Sequence, residues 1–94
     1  MVQDKVSREK LEKYFSITEK AFSIAKKNIS RTREADAREI LNMVDCYLQD
    51  SKYFQKKGDF VNSFAAINYA HGWLDSGSRL GIFNVKDNKL FVIK

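Results

Sequence analysis

The stretch KKGDFVNSFAAINYAHGWLDSGSRLG, residues 56–81, decides the fold of this sequence. Gly58 can adopt the left-handed conformation just past the end of a helix. Asp59 can then cap the helix that follows at once, and the two lysines before the glycine suit the negative end of a helix dipole. The stretch therefore predicts a tight corner between two helices and a third helix over about 60–80.

The third helix is unusually poor in charge, since only Asp75 and Arg79 are charged in it. On a helical wheel drawn at about 100° per residue, an apolar face and the arc beside it together cover more than half of the helix circumference. We therefore expect this helix to be the most buried and to pack against both others. The face and the arc contain Phe60, Phe64, Ile67, His71, Leu74 and Ser78, and Ala66, Ala70, Trp73, Gly77 and Leu80.

Two amphipathic helices are predicted before the corner, over about 8–29 and 34–57. Apolar residues recur there at steps of three and four, which is the helical period. Ser7 and Thr32 are the expected N-caps. The two stripes contain Leu11, Phe15, Thr18, Phe22, Ala25 and Ile29, and Ala37, Leu41, Val44, Leu48 and Ser51.

The C-terminal tail, residues 82–94, changes to residues that favour strands, with a turn candidate at 87–88. Because an isolated hairpin is only marginally stable, this tail should lie against the helices or against another chain. The predicted fold class is all-α, an antiparallel up-and-down three-helix bundle with a short extended or β-hairpin C-terminal tail. We expect a single domain over residues 1–94.

The composition is that of a soluble globular protein, with 44% hydrophobic and 31% charged residues. No apolar run approaches the roughly 20 residues that span a membrane, and the N-terminus has no apolar signal core. Cys46 is the only cysteine, which fits a reducing compartment. We therefore expect a cytoplasmic protein without membrane contact. Its net charge of +5 favours anionic partners in general.

The polar arc of the third helix is the candidate partner-binding surface. Gly72 lies on it, and a glycine inside a helix costs about 1 kcal/mol relative to alanine. The arc forms a smooth, weakly charged groove, which either the tail or a partner fills. The candidate binding residues are Asn68, Tyr69, Gly72, Ser76 and Arg79.

His71 is the only histidine, and we interpret it as a neutral core residue bonded to a tyrosine or a backbone carbonyl. A zinc site needs three or four ligands, so a pair with Asp75 does not predict a metal. A pair with Cys46 is disfavoured because that thiol should point away from the core. We therefore predict no catalytic residues, no metal, no cofactor and no enzymatic activity. A hydrolase centred on His71 and Asp75 is the last alternative, and it requires His71 to be accessible.

Lysines cluster at the predicted end of the second helix, and Lys52, Lys56 and Lys57 are candidate anion contacts. The alternative function is binding of RNA or a nucleotide through such basic ends. Few exposed aromatic residues are expected to interleave with these lysines as stacking platforms, which favours ordinary solvated charge.

The segments YFSITEKAFSIAKKNI and DSKYFQKKGDFVNSFAAINYAHGWLDSGSRLGIFNV resemble a small archaeal family known as domain of unknown function 357, over about 8–85. The resemblance implies an up-and-down three-helix bundle with no established activity. The segment YFQKKGDFVNSFAAINYAHGWLD, residues 53–75, also resembles the HEPN helical domains. Their nuclease motif places an arginine before a histidine, whereas here His71 precedes Arg79.

Together these features predict an uncharacterised archaeal helical-bundle protein that acts as a non-catalytic protein-interaction or accessory module. Its expected partner is another protein or a second copy of the chain, as in a homodimer.

Overall fold

Residues 6–85 are described by a computed structural model, and they form three α-helices. The helices are α1 (Arg8–Lys26), α2 (Glu34–Lys56) and α3 (Phe60–Arg79). Within this part of the chain there is no β-strand, only an isolated bridge. The all-α, three-helix prediction is confirmed. Among the described helices, none has the length and apolar character that a membrane span needs.

Side-chain caps begin two of the helices as predicted. The Ser7 side chain accepts a hydrogen bond from the backbone N–H of Lys10 at 3.1 Å. The Asp59 carboxylate accepts one from the backbone N–H of Asn62, also at 3.1 Å. Each cap satisfies a backbone donor that the first turn of a helix leaves unpaired.

The predicted cap at Thr32 is wrong. Arg33 occupies the N-cap position of α2 and makes no capping side-chain bond. Its backbone N–H instead donates to the carbonyl of Ser30 at 3.0 Å, and its guanidinium bonds Asp36 and the carbonyl of Leu80. The turn before α2 is therefore stabilised by contacts to other parts of the chain.

The corner between α2 and α3 is a Schellman motif centred on Gly58, as its glycine predicts. Gly58 has φ +76°, the left-handed region that a side chain disfavours. The Asp59 N–H donates to the Phe54 carbonyl at 2.9 Å, and the Gly58 N–H donates to the Gln55 carbonyl at 3.0 Å. These are the two hydrogen bonds that define the motif. Asp59 thus ends one helix and caps the next.

Helix α3 is the central element. It packs against α1 and α2, and these two contact one another much less. This confirms the prediction that the third helix contacts both others. Its buried residues are Ser63, Ala66, Ile67, Ala70, Leu74 and Gly77.

Two buried serines join α2 to α3. Ser51 and Ser63 are fully buried, with their hydroxyl oxygens 2.8 Å apart. The Ser63 hydroxyl donates to the Ser51 carbonyl at 2.8 Å. Since that proton is used, the Ser51 hydroxyl donates to the Ser63 oxygen. Both hydroxyls are therefore paired, as burial of polar groups requires.

A second Schellman motif, centred on Gly81, ends α3 and turns the chain back. Gly81 has φ +77°, and the N–H of Ile82 donates to the Gly77 carbonyl at 2.8 Å. Phe83 follows with only 1% of its surface exposed. A side chain at Gly77 would place its Cβ 2.6 Å from Cδ2 of Phe83. Gly77 therefore makes room for the Phe83 ring, and its Cβ would also lie 3.2 Å from Cδ1 of Ile40 in the neighbouring helix α2.

The residues after α3 run beside the connection between α1 and α2. Ile29 and Phe83 form the isolated antiparallel bridge. The N–H of Ser30 donates to the Ile82 carbonyl at 2.9 Å, and the N–H of Asn84 donates to the Asn28 carbonyl at 2.7 Å. Residues 28 and 29, which the pattern assigned to the first helix, thus pair with the chain end together with Ser30. The predicted turn at 87–88 and the rest of the tail lie outside the described residues.

We expect Gly77→Ala to lower the free energy of unfolding by about 1–3 kcal/mol, because the added methyl group overpacks the buried Phe83 ring. The matched control is Gly72→Ala in the same helix, whose added methyl group has nothing within 4 Å. That control should gain up to about 1 kcal/mol from helix propensity. Urea denaturation of the two variants measures both values, and equal effects would contradict the packing role of Gly77.

We expect Ser63→Ala to cost about 1–3 kcal/mol, because it leaves the Ser51 hydroxyl buried without its acceptor. The double variant Ser51→Ala/Ser63→Ala should cost less than the two single variants combined, since it removes both partners. A double-mutant cycle by urea denaturation measures this coupling. Additive losses would show that the two hydroxyls do not interact.

Candidate interaction surface on the third helix

One exposed side of α3, called the α3 face below, carries aromatic and small polar residues in place of charge. Tyr69 is 63% exposed and Trp73 is 37% exposed. Gly72, which lies between them along the helix, and Ser76, which follows Trp73, are also exposed. The surface forms because α1 and α2 cover only the opposite side of α3. The α3 face consists of Asn68, Tyr69, Gly72, Trp73 and Ser76.

The α3 face surrounds a shallow hollow of about 320 Å³. Gly72 forms its floor, and a Cβ built at Gly72 would meet no atom within 4 Å. The Tyr69 ring at its edge stacks on Tyr47 of α2, with centroids 5.4 Å apart and planes inclined by 22°. This stacking fixes the orientation of one wall of the hollow.

The structure brings together four of the five predicted binding residues. Arg79, the fifth, is exposed at the last position of α3 and does not line the hollow. Whether the five residues bind a partner stays a prediction.

The prediction that placed Trp73 and Leu80 on the buried arc is wrong, because Trp73 is exposed and Leu80 is 65% exposed. The buried strip of α3 is narrower than its apolar composition indicates, since the covering helices reach one side only. The sequence did contain a signal for the exposed position of Trp73, because this residue lies at the edge of the weakly charged polar arc of the third helix.

The described part of the tail does not fill the hollow. Residues 82–85 leave α3 through Gly81 and pair with the connection before α2. The hollow is therefore open within residues 6–85.

His71 lies between α1 and α3 and is only partly buried, with 24% of its side chain exposed. Its Nδ1 is 3.0 Å from the Thr18 hydroxyl oxygen, and its Nε2 is 3.7 Å from Oδ1 of Asp75. The sequence predicted a tyrosine or a backbone carbonyl as its partner, whereas the described hydrogen bond at Nδ1 is to the Thr18 hydroxyl. The wheel did not show that Thr18 of α1 faces this ring.

The side chains of His71 and Asp75 are both accessible, since each is 24% exposed. His71 and Asp75 line a cavity of about 390 Å³ with Thr18, but the Thr18 side chain is almost fully buried. A hydroxyl in that position is a hydrogen-bond partner for the ring and does not reach solvent. Cys46 is exposed on α2. Among residues 6–85, no three His, Cys, Asp or Glu side chains are grouped as metal ligands would be.

The predicted anion contacts lie at the end of α2, away from the α3 face. Lys52 and Lys56 line a groove of about 620 Å³ between α1 and α2, together with Phe15 and Tyr53. The Lys57 ammonium lies 5.7 Å from the Tyr53 ring centroid. The sequence predicted few exposed aromatic residues among these lysines; Tyr53 is exposed beside them in α2, and packing adds the half-buried Phe15 of α1.

The geometry defines a class: an all-α protein of three packed helices with an uncharged, partly aromatic exposed face. The sequence matches the protein family of unknown function DUF357 over residues 13–83. This match covers more than half of the chain, so the protein belongs to that family and the sequence resemblance is confirmed. Neither the curated proteins nor the solved structures gave a significant match.

Trp73 is the only tryptophan in the chain, so its fluorescence reports on the α3 face alone. Because the ring is partly exposed, we expect acrylamide to quench it efficiently in dilute, folded protein. Quenching of Tyr69→Ala, which removes one wall of the hollow, should be stronger still. A native Trp73 that acrylamide reaches only after unfolding would contradict the exposure of this face.

Proposed function

We propose that the protein is a non-catalytic protein-interaction module that docks through the α3 face. The observation that carries the proposal is Gly72. It costs helix stability, and no atom of residues 6–85 lies where its side chain would be. A glycine without an internal packing role is explained by close approach of a second backbone from outside.

The side chains around Gly72 suit a protein interface. Tyrosine and tryptophan dominate the energetics of such interfaces, and Tyr69 and Trp73 flank the glycine with their rings exposed. Asn68 and Ser76 can donate and accept hydrogen bonds at the rim. No side chain of the α3 face is charged, so docking would desolvate no ion.

The charge distribution favours a second copy of the same chain as the docking partner. The chain carries a net charge of +5, so two copies repel through most of their surfaces. The α3 face escapes this repulsion because it is uncharged. It also contains both a hollow at Gly72 and partly exposed rings beside it. A twofold pairing can place a ring of one copy in the hollow of the other.

An antiparallel up-and-down order of the three helices belongs to the same proposal. Residue numbers rise together in the contacts between α1 and α3 and run oppositely in those between α2 and α3, which supports it. The contact pairs are Arg8–Phe60 and Thr18–His71, and Tyr47–Tyr69 and Ser51–Ser63.

A cytoplasmic location is also proposed, because an exposed free thiol such as that of Cys46 is typical of reducing compartments.

We expect the wild-type protein to form dimers as its concentration rises, and Gly72→Arg to stay monomeric because the new side chain fills the hollow and adds charge. The fold tolerates this change, since the position is open. The matched control is Ser16→Arg, which adds the same charge at an exposed site on α1. Sedimentation velocity measures all three proteins, and the control should behave as wild type.

A wild-type chain that stays monomeric at every concentration would refute self-association. A photo-crosslinking residue at Asn68 then tests the module itself in cell extract. An identified protein that crosslinks there, and is lost in Gly72→Arg but kept in Ser16→Arg, supports docking of a different protein. The absence of any such crosslink rejects the proposed function.

A further inference from the structure

The end of the molecule where α1 and α3 begin and α2 ends carries basic side chains placed over aromatic rings. This region is called the basic–aromatic end. The guanidinium carbon of Arg8 lies 5.1 Å from the Phe60 ring centroid, and the Lys10 ammonium lies 5.5 Å from that of Phe64. On the α2 side, Lys52 lies 5.7 Å from the Phe15 ring and Lys57 lies 5.7 Å from the Tyr53 ring.

These basic groups have no direct acidic partner. Among residues 6–85, the ion pairs within 4 Å are Arg33–Asp36 and His71–Asp75, and neither involves this end. Carboxylates are present nearby in the sequence, but Asp59 is occupied as the cap of α3. The positive charge of the basic–aromatic end is therefore not neutralised by direct pairing.

Part of this end opens into a concave surface. Phe15 of α1 and Lys52, Tyr53 and Lys56 of α2 line this part of the groove of about 620 Å³ between the two helices, whose lining also includes the carboxylates of Glu19 and Asp45. Tyr53 is 58% exposed, so one face of an aromatic ring is accessible at the rim. The groove thus offers ammonium groups and an exposed ring side by side.

We infer that the basic–aromatic end binds single-stranded nucleic acid. Proteins that bind single strands without strong sequence preference combine basic grooves that follow phosphates with rings that stack bases. Here Lys52, Lys56 and Lys57 supply three of the phosphate contacts, Arg8 and Lys10 of the same end supply the others, and Tyr53 supplies a stacking platform. A duplex keeps its bases stacked inside, so the exposed ring favours a single strand. This site is separate from the α3 face and does not depend on the function proposed for it.

Fluorescence polarisation with a labelled 12-nucleotide oligouridylate tests this inference on the full chain. Affinity should fall steeply with salt, with a slope of about three on logarithmic axes for four or five phosphate contacts. The charge-reversal variant carries Lys52→Glu, Lys56→Glu and Lys57→Glu. We expect its affinity to be at least about tenfold lower than that of the wild type, and its salt slope to be smaller by about two.

A matched control separates a local site from overall charge. The control variant makes the same charge change at exposed positions away from this end and should lose much less affinity. Circular dichroism shows that each variant is folded before binding is compared. The control substitutions are Lys20→Glu, Lys27→Glu and Arg38→Glu.

Tyr53→Ala tests the stacking contribution with charge unchanged. It should weaken oligouridylate binding about fivefold or more and leave the salt slope unaltered. Equal losses in the two charge variants would overturn the inference, because binding would then follow net charge alone. Undiminished binding of the oligouridylate by Tyr53→Ala would overturn it as well.

Discussion

The contact of Phe83 with the backbone of Gly77 is the constraint on which the rest of the structure depends. Phe83 is among the largest fully buried side chains, and it fits only because Gly77 has no Cβ. The Schellman motif at Gly81 directs the chain to this position, and the bridge to Ile29 holds it there. One contact therefore joins the end of α3 to the connection between α1 and α2.

Local signals predicted the helices and their corner, because the responsible atoms are close in sequence. The caps at Ser7 and Asp59 and the left-handed glycine at position 58 act within a single turn. The failed cap at Thr32 shows the limit of this approach. Arg33 there is held by Leu80, a residue that no local pattern connects to it.

The helical wheel predicted which residues of α3 share a side, but it did not predict which other elements cover that side. The two interior glycines of α3 show this difference. Gly72 and its polar neighbours were placed together correctly, since they share one side of a single helix. The contact of Gly77 with Phe83 and the exposure of Trp73 were not predicted, because both depend on how far other elements extend over α3. The contact of Lys52 with the Phe15 ring was missed for the same reason, since these residues belong to different helices.

The long sequence separation of the closing contacts has a consequence for synthesis of the chain. The Ser30 hydroxyl bonds the Gly81 carbonyl, 51 residues away, and such distant contacts form after local ones. During translation, α1 and α2 leave the ribosome before their connection has its partner. The core is therefore completed only when residue 83 has emerged, so that a ribosome stalled inside α3 would carry an open, aggregation-prone intermediate.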